Sequence, residues 1–165
     1  MEKTIKVTGK GKLSVKPDRI RLMITQTDVL ATYREAIKGS ADRKAVLNRS
    51  MRQMGFREED LKTLNFNVET EYESYQAKDK SWKRRLLGYR YTHRMKLELS
   101  NDNALLGKAL MAVSRCPGRP EFNIQYTISD SEAAKNELLR RAVMDSKTKA
   151  AVLSEAAGMH LGEIL

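Results

Sequence analysis

Along residues 5–16, Ile5, Val7, Gly9, Gly11, Leu13 and Val15 share one parity, while Lys6, Thr8, Lys10, Lys12, Ser14 and Lys16 hold the other. A period of two predicts a strand with one dry side and one basic, wet side. Pro17-Asp18 then turns the chain. Ile20, Leu22 and Ile24 alternate with Arg21, Met23 and Thr25, which predicts a second strand paired to the first as a hairpin. From about residue 31 to 54 the period changes to a helical one, carried by Tyr33, Ile37, Leu47, Met51 and Met54 and closed at Gly55. Gly39-Ser40 lowers helix propensity midway and predicts a kink there.

Leu64, Phe66, Val68 and Tyr72 mark a third strand; Tyr89, Tyr91, His93, Met95, Leu97 and Leu99 mark a fourth, with the cleanest alternation in the chain. The polar, cation-rich stretch from Glu73 to Gly88 between them predicts a long, mobile hairpin tip. Ser100 to Asn103 can cap a short helix with Leu106, Ala109, Leu110 and Val113 on its apolar face, stopped by Pro117 and Pro120. Phe122, Ile124, Tyr126 and Ile128 predict a fifth strand, and Ser129 with Glu132 a capping box. The last helix, from about 131 to 157, carries Leu139, Ala142, Val143, Ala150, Leu153 and Ala157 on one stripe. At 1.5 Å per residue it spans roughly 40 Å.

The order ββαββαβα predicts an α+β fold with helices on one face of an antiparallel sheet. Strands two to five and the first two helices follow the βαββαβ order of a ferredoxin-like core, to which an N-terminal strand and a long C-terminal helix are added. A chain of 165 residues is the right size for a single domain over 1–165.

Charge changes the picture most. A net charge of +10 puts nucleic acid, anionic lipid and acidic protein surfaces among the partners. The sheet side opposite the helices would collect Lys6, Lys10, Lys12, Arg21, Arg90, Arg94 and Lys96 into one basic face. The hairpin tip adds Lys78, Lys80, Lys83, Arg84 and Arg85 around Trp82. Sheets that bind RNA present aromatics on the open face, whereas Tyr89, Tyr91, Phe122 and Tyr126 fall on the apolar parity, so nucleic acid is the less favoured partner. The candidate interaction surface is therefore Trp82, Lys83, Arg84 and Arg85 of the tip with Lys10, Lys12, Arg21, Arg90, Arg94 and Lys96 of the sheet.

Catalytic chemistry finds little footing. A single cysteine, Cys116, excludes an internal disulfide and a thiolate zinc cage. Gly9-Lys10-Gly11-Lys12 lacks the hydroxyl residue of a phosphate loop and sits inside a strand, where glycines serve a bulge or close packing. His93 has the parity of a core histidine, and His160 lies beyond the last helix. Glu58, Glu59 and Asp60 read as a solvated turn, without metal-ligand spacing. Cys116 invites an oxidation-sensor reading beside Arg115 and Arg119, and a plainer one as a small apolar residue closing a helix. No catalytic, cofactor or metal residue is assigned. No apolar run approaches the ~20 residues that span a bilayer, and no leader precedes the first strand. As written the chain is expected in the cytoplasm, and in the periplasm if a leader has been removed.

Val7-Thr-Gly-Lys-Gly-Lys-Leu-Ser-Val-Lys-Pro-Asp18, Asn65-Phe66, Gly88-Tyr89 and the closing set Ser129-Asp130, Ala142, Asp145, Lys147 to Ala150, Leu153, Ala156-Ala-Gly158 and Leu161-Gly162, in this order, resemble the SIMPL-domain family. That resemblance implies an α+β fold, assembly into homo-oligomers, and, for bacterial members, links to envelope or oxidative stress without a defined reaction. Two departures bear on it. The leader of many bacterial members is absent, and the chain stops at Leu165 where members continue into a further strand; a missing strand leaves an edge open to a partner. The reading is a non-enzymatic interaction and assembly module, a homo-oligomer that also docks a protein partner, with nucleic-acid or anionic-surface binding as the alternative.

Overall fold

A computed structural model describes residues 4–162 and shows three helices and a four-stranded antiparallel sheet. The elements run β1 (Arg19–Leu30), α1 (Tyr33–Gln53), β2 (Leu61–Gln76), β3 (Trp82–Ser100), α2 (Asn103–Ser114), β4 (Glu121–Thr127) and α3 (Ser131–Ala156). The expectations about the two chain ends fall at residues 1–3 and 163–165, which lie outside the described residues. Contacts gather into two compact units, one of Pro17–Thr127 and one that joins the N-terminal segment through Lys16 to the chain from Ile128 onward.

In the larger unit the strand order is β2-β3-β1-β4. β3 is antiparallel to both β1 and β2, so β1 and β2 run parallel with β3 between them: the split βαβ arrangement expected from the element order. The predicted alternation decides the core. Ile20, Leu22 and Ile24 lie opposite Leu99, Leu97 and Met95, and all point to the side covered by Leu47 and Met51 of α1 and Leu106, Ala109 and Val113 of α2. Full burial of each large apolar side chain contributes about 1.5–3 kcal/mol.

Local signals set the helix starts. Thr32 Oγ1 accepts the Glu35 amide and Glu35 Oε2 accepts the Thr32 amide, closing a capping box on α1. Asp102 caps α2 by accepting from the Ala104 amide at 2.7 Å. For α3 the cap is Asp130, which accepts from Ala133 at 2.8 Å, one residue later than the Ser129 expected. α1 continues as one helix through Gly39-Ser40, and Ser40 is buried there as a hydrogen-bonding residue.

The smaller unit corrects the opening of the chain. Residues 5–16 were expected to pair with the second strand as a hairpin, yet both edges of β1 are taken, by β3 and β4. The segment instead runs extended along α3, antiparallel to it, with no strand ladder. Side chains of α3 supply its hydrogen bonds: Asp145 accepts the Lys10 amide at 2.7 Å, and Arg141 and Lys149 donate to the carbonyls of Lys12 and Thr8. The predicted alternation survives, with Val7, Gly9, Gly11 and Leu13 half-buried and Thr8, Lys10, Lys12 and Ser14 exposed. A Cβ at Gly9 would strike the Ala142 carbonyl, and one at Gly11 the Leu138 carbonyl. The two glycines are thus what lets the segment approach the helix backbone.

Candidate interaction surface

The stretch expected as a mobile tip is a paired ribbon. β1 pairs with β3 only over Tyr89–Ser100, so the first residues of β3 have β2 as their sole strand neighbour. The ladder nevertheless continues through Tyr72↔Leu86, Glu73↔Arg85, Ser74↔Arg84, Tyr75↔Lys83 and Gln76↔Trp82. A register shift at Glu71/Tyr72 starts this ribbon. Gly88 stands beside it with φ of +148°, where a Cβ would strike the Leu30 carbonyl. At the far end the Ala77 amide donates to the Ser81 carbonyl at 2.8 Å and the Lys80 amide to the Ala77 carbonyl at 2.9 Å. Asp79 accepts from the Ser81 hydroxyl and amide, bonds that hold its carboxyl below the usual range. Aromatic residues on both strands and a five-residue closure suffice to pair what its charges make look like a loop.

Directly opposed residues of an antiparallel pair share a face. One face of the ribbon therefore carries Tyr72, Ser74, Gln76, Trp82, Arg84 and Leu86; the other carries Glu73, Tyr75, Lys83 and Arg85. The Arg84 guanidinium lies 4.8 Å above the Tyr72 ring, and Arg85 lies 5.7 Å from the Tyr75 ring while pairing with Glu73 at 2.7 Å. Lys83 reaches Asp79 at 3.9 Å. Trp82 is 74% exposed, and Tyr72, Tyr75, Leu86 and Leu87 are exposed as well. Sequence reasoning found Trp82 and the cations but missed Tyr72, Tyr75 and the two leucines as members of the same surface. The signal available was the run of large side chains, Tyr72, Tyr75, Trp82, Leu86 and Leu87, on either side of the turn.

The sheet cations are ion-paired as well. On the side of the sheet away from α1 and α2, Arg21 binds Glu98 at 2.8 Å, Lys96 binds the same carboxylate at 3.2 Å, and Arg90 grips Glu71 through two hydrogen bonds of 2.8 and 2.6 Å. These bonds hold the carboxyls of Glu71 and Glu98 below their ordinary range. Arg94 is exposed between Thr25 and Asn65, with no acidic partner among the described residues. Lys10 and Lys12 belong to the segment docked on α3, in the other unit. Of the four expected basic-face residues in the larger unit, Arg90 thus has a carboxylate to itself, Arg21 and Lys96 share one, and Arg94 has none among the described residues.

His93 is buried as a core histidine. Its Nδ1 shares a hydrogen bond of 3.0 Å with Ser40 Oγ and its Nε2 one of 2.9 Å with Thr63 Oγ1, which also accepts from Lys44 Nζ at 3.2 Å. Desolvation, then the Lys44 charge, lower its pKa. Cys116 is buried against the Ala112 carbonyl, and burial pushes its thiol up, away from the reactive thiolate. The acidic turn 58–60 is tied to Arg57, Arg52 and Asn48. Among the described residues, no helix is long and apolar enough to cross a membrane.

The residues that carry the family resemblance are packing residues: Gly9 and Gly11 meet Ala142 and Leu138, Lys10 meets Asp145, Phe66 sits edge-on to His93, and Tyr89 edge-on to Tyr33. Among curated proteins, the chain is 25% identical over 164 residues to the 26 kDa periplasmic immunogenic protein of Brucella melitensis biotype 1, and 24% identical to its Brucella abortus counterpart. These alignments cover 98% of the chain, which spans 64% of the length of either relative. A solved structure of GlnK from B. subtilis is similar at a TM-score of 0.37 and 10% identity, over 68% of this chain and 86% of that one. The family model of SIMPL, described as a protein of unknown function (DUF541), matches residues 5–165, and the chain belongs to that family.

Proposed function

We propose that the chain is a non-enzymatic interaction module that engages its partner through the β2–β3 ribbon around Trp82. The observation that carries this reading is the exposure of that one tryptophan, 74%, on a backbone held by paired strands rather than on a free loop. A large aromatic presented on an ordered element is the usual form of an interface anchor. The burial of His93 and Cys116, each bonded to neutral groups, supports a binding role over a catalytic one.

Self-assembly through β4 is the second part of the proposal. Among the described strands β4 pairs with β1 alone and ends the sheet, and Phe122 and Tyr126 are exposed on it. Open edges recruit further strands. The Brucella relatives are periplasmic proteins by name, which favours a periplasmic setting over the cytoplasmic one expected for the chain as written.

A photo-crosslinking residue placed at position 82, at 122, and at exposed Lys108 of α2 as a control tests both parts in the host cell. Position 82 is expected to give an adduct that 108 does not, and position 122 a species of twice the chain mass. Equal yields at 82 and 108 contradict the ribbon as the docking element, and a monomeric product at 122 contradicts assembly through β4.

A further inference from the structure

We propose that the surface met by the ribbon is an anionic lipid headgroup layer; this rests on the ribbon being the docking element. The ribbon and its closure hold five cations, Lys78, Lys80, Lys83, Arg84 and Arg85, against two carboxylates, Glu73 and Asp79. Apolar and aromatic groups are interleaved with them on both faces: Trp82, Tyr72 and Leu86 on one, Tyr75 on the other, with Leu87 at the register shift.

That distribution separates lipid from the other partners. A protein partner covers one face and concentrates its anchors at the centre of one patch. Here Trp82, Tyr72 and Leu86 lie on one face and Tyr75 on the other, with Arg84 on the first and Lys83 and Arg85 on the second, so cations and apolar groups occur on both, which suits a layer that surrounds the ribbon. A second copy of the ribbon is disfavoured because the two would meet with like net charge. Tyrosine and tryptophan favour the boundary where one end of the ring is apolar and the other wet. Arginine and lysine can lay their stems along such rings and keep their charged ends toward phosphate; in the free chain the Arg84 guanidinium lies over the Tyr72 ring.

The same physics limits the depth. Among the described strands, Tyr72–Gln76 and their partners have each other alone, so their outer backbone groups have no strand to bond. Burying these in hydrocarbon is costly, and the ribbon stays among headgroups and bound water.

Trp82 is the chain's single tryptophan, so its emission reports the ribbon without labelling. The full chain is mixed with vesicles of phosphatidylglycerol and phosphatidylcholine in equal parts, and separately with phosphatidylcholine alone, at low salt. The expected result is a shift of Trp82 emission to shorter wavelength and co-sedimentation with the anionic vesicles only, with partitioning reduced about tenfold by salt near 0.5 M. K78E/K80E/K83E keeps the reporter and changes only exposed side chains; it is expected to stay in the supernatant with unshifted emission. W82A/R84A/R85A, with an unchanged circular dichroism spectrum, is expected to lose sedimentation. Unshifted emission and no sedimentation with anionic vesicles overturn the lipid assignment. So does a larger shift with polyglutamate or duplex DNA than with vesicles. If position 82 still crosslinks to a protein in cells, the docking role of the ribbon stands and lipid alone is withdrawn.

Discussion

His93 shows how a single residue's surroundings fix its role. On the apolar parity of β3 it is buried, and two hydroxyls, Ser40 and Thr63, bracket its ring. The Phe66 ring packs edge-on at 5.4 Å, and the nearby charge is the Lys44 ammonium. A lowered pKa means that the unfolded chain takes up the proton first, near its ordinary value of 6.5. Stability is therefore fully present above that pH and falls as pH drops through the folded-state value. The midpoint of thermal unfolding should decrease from pH 7 to pH 5, and H93Q should flatten that decrease. H93Q should also cost about 1–3 kcal/mol at pH 7 through the hydroxyls it leaves poorly bonded. A wild-type midpoint that holds or rises on acidification contradicts the assigned neutral state. The buried character of His93 was legible from parity alone. The bracket was not, because Ser40 lies fifty-three residues away and reads in sequence as a weak point of a helix.

At the scale of elements, period two gave the right side-chain alternation for residues 5–16 and the wrong partner. Alternation reports which side is dry, but it is silent on whether a strand or a helix dries it. The central place of β1 excluded the hairpin, and Asp145, Lys149 and Arg141 took over the backbone bonding. The close approach explains why the glycines at one end of the chain and Ala142 and Asp145 at the other read as a single pattern. G9A should cost about 1–3 kcal/mol through overpacking against the helix backbone, and it should open residues 5–16 to proteolysis. D145N keeps the shape of the side chain but weakens its charge-assisted bond. It should speed hydrogen exchange at the Lys10 amide, leaving the amides of β1 and β3 unchanged. Equal exchange in wild type and D145N would show that the segment is not held there.

The ribbon was misread for a complementary reason. Between Glu73 and Gly88 the charges dominate composition, and composition favoured a loop; the pairing of Tyr72 with Leu86 and Gln76 with Trp82 appears only when both strands are aligned across the turn. By contrast β3 from Tyr89 onward, α2 and the core positions Ile20, Leu22, Ile24, Met95 and Leu97 follow the sequence pattern closely, because burial on one side leaves little freedom of register. Charge was legible in amount and not in placement. The acidic partners of Arg21, Arg90 and Lys96 lie on neighbouring strands or two residues along the same one, and offset part of the charge that parity alone made a basic face.

For the molecule as a whole, the net charge of +10 is therefore unevenly usable. Exposed ion pairs of this kind contribute little to stability, commonly about 0–1 kcal/mol. They occupy sheet cations (Arg21, Arg90, Lys96) and ribbon cations (Lys83, Arg85) alike; what the ribbon adds is exposed aromatic rings, Trp82, Tyr72 and Tyr75, beside its cations. Collisional quenching of the single tryptophan tests that claim most directly. In the free protein Trp82 should emit at long wavelength, and iodide, drawn by Lys83 and Arg84, should quench it more strongly than caesium at equal ionic strength. Short-wavelength emission resistant to both ions would mean that Trp82 is covered in the free protein, and would contradict the ribbon as an open docking element.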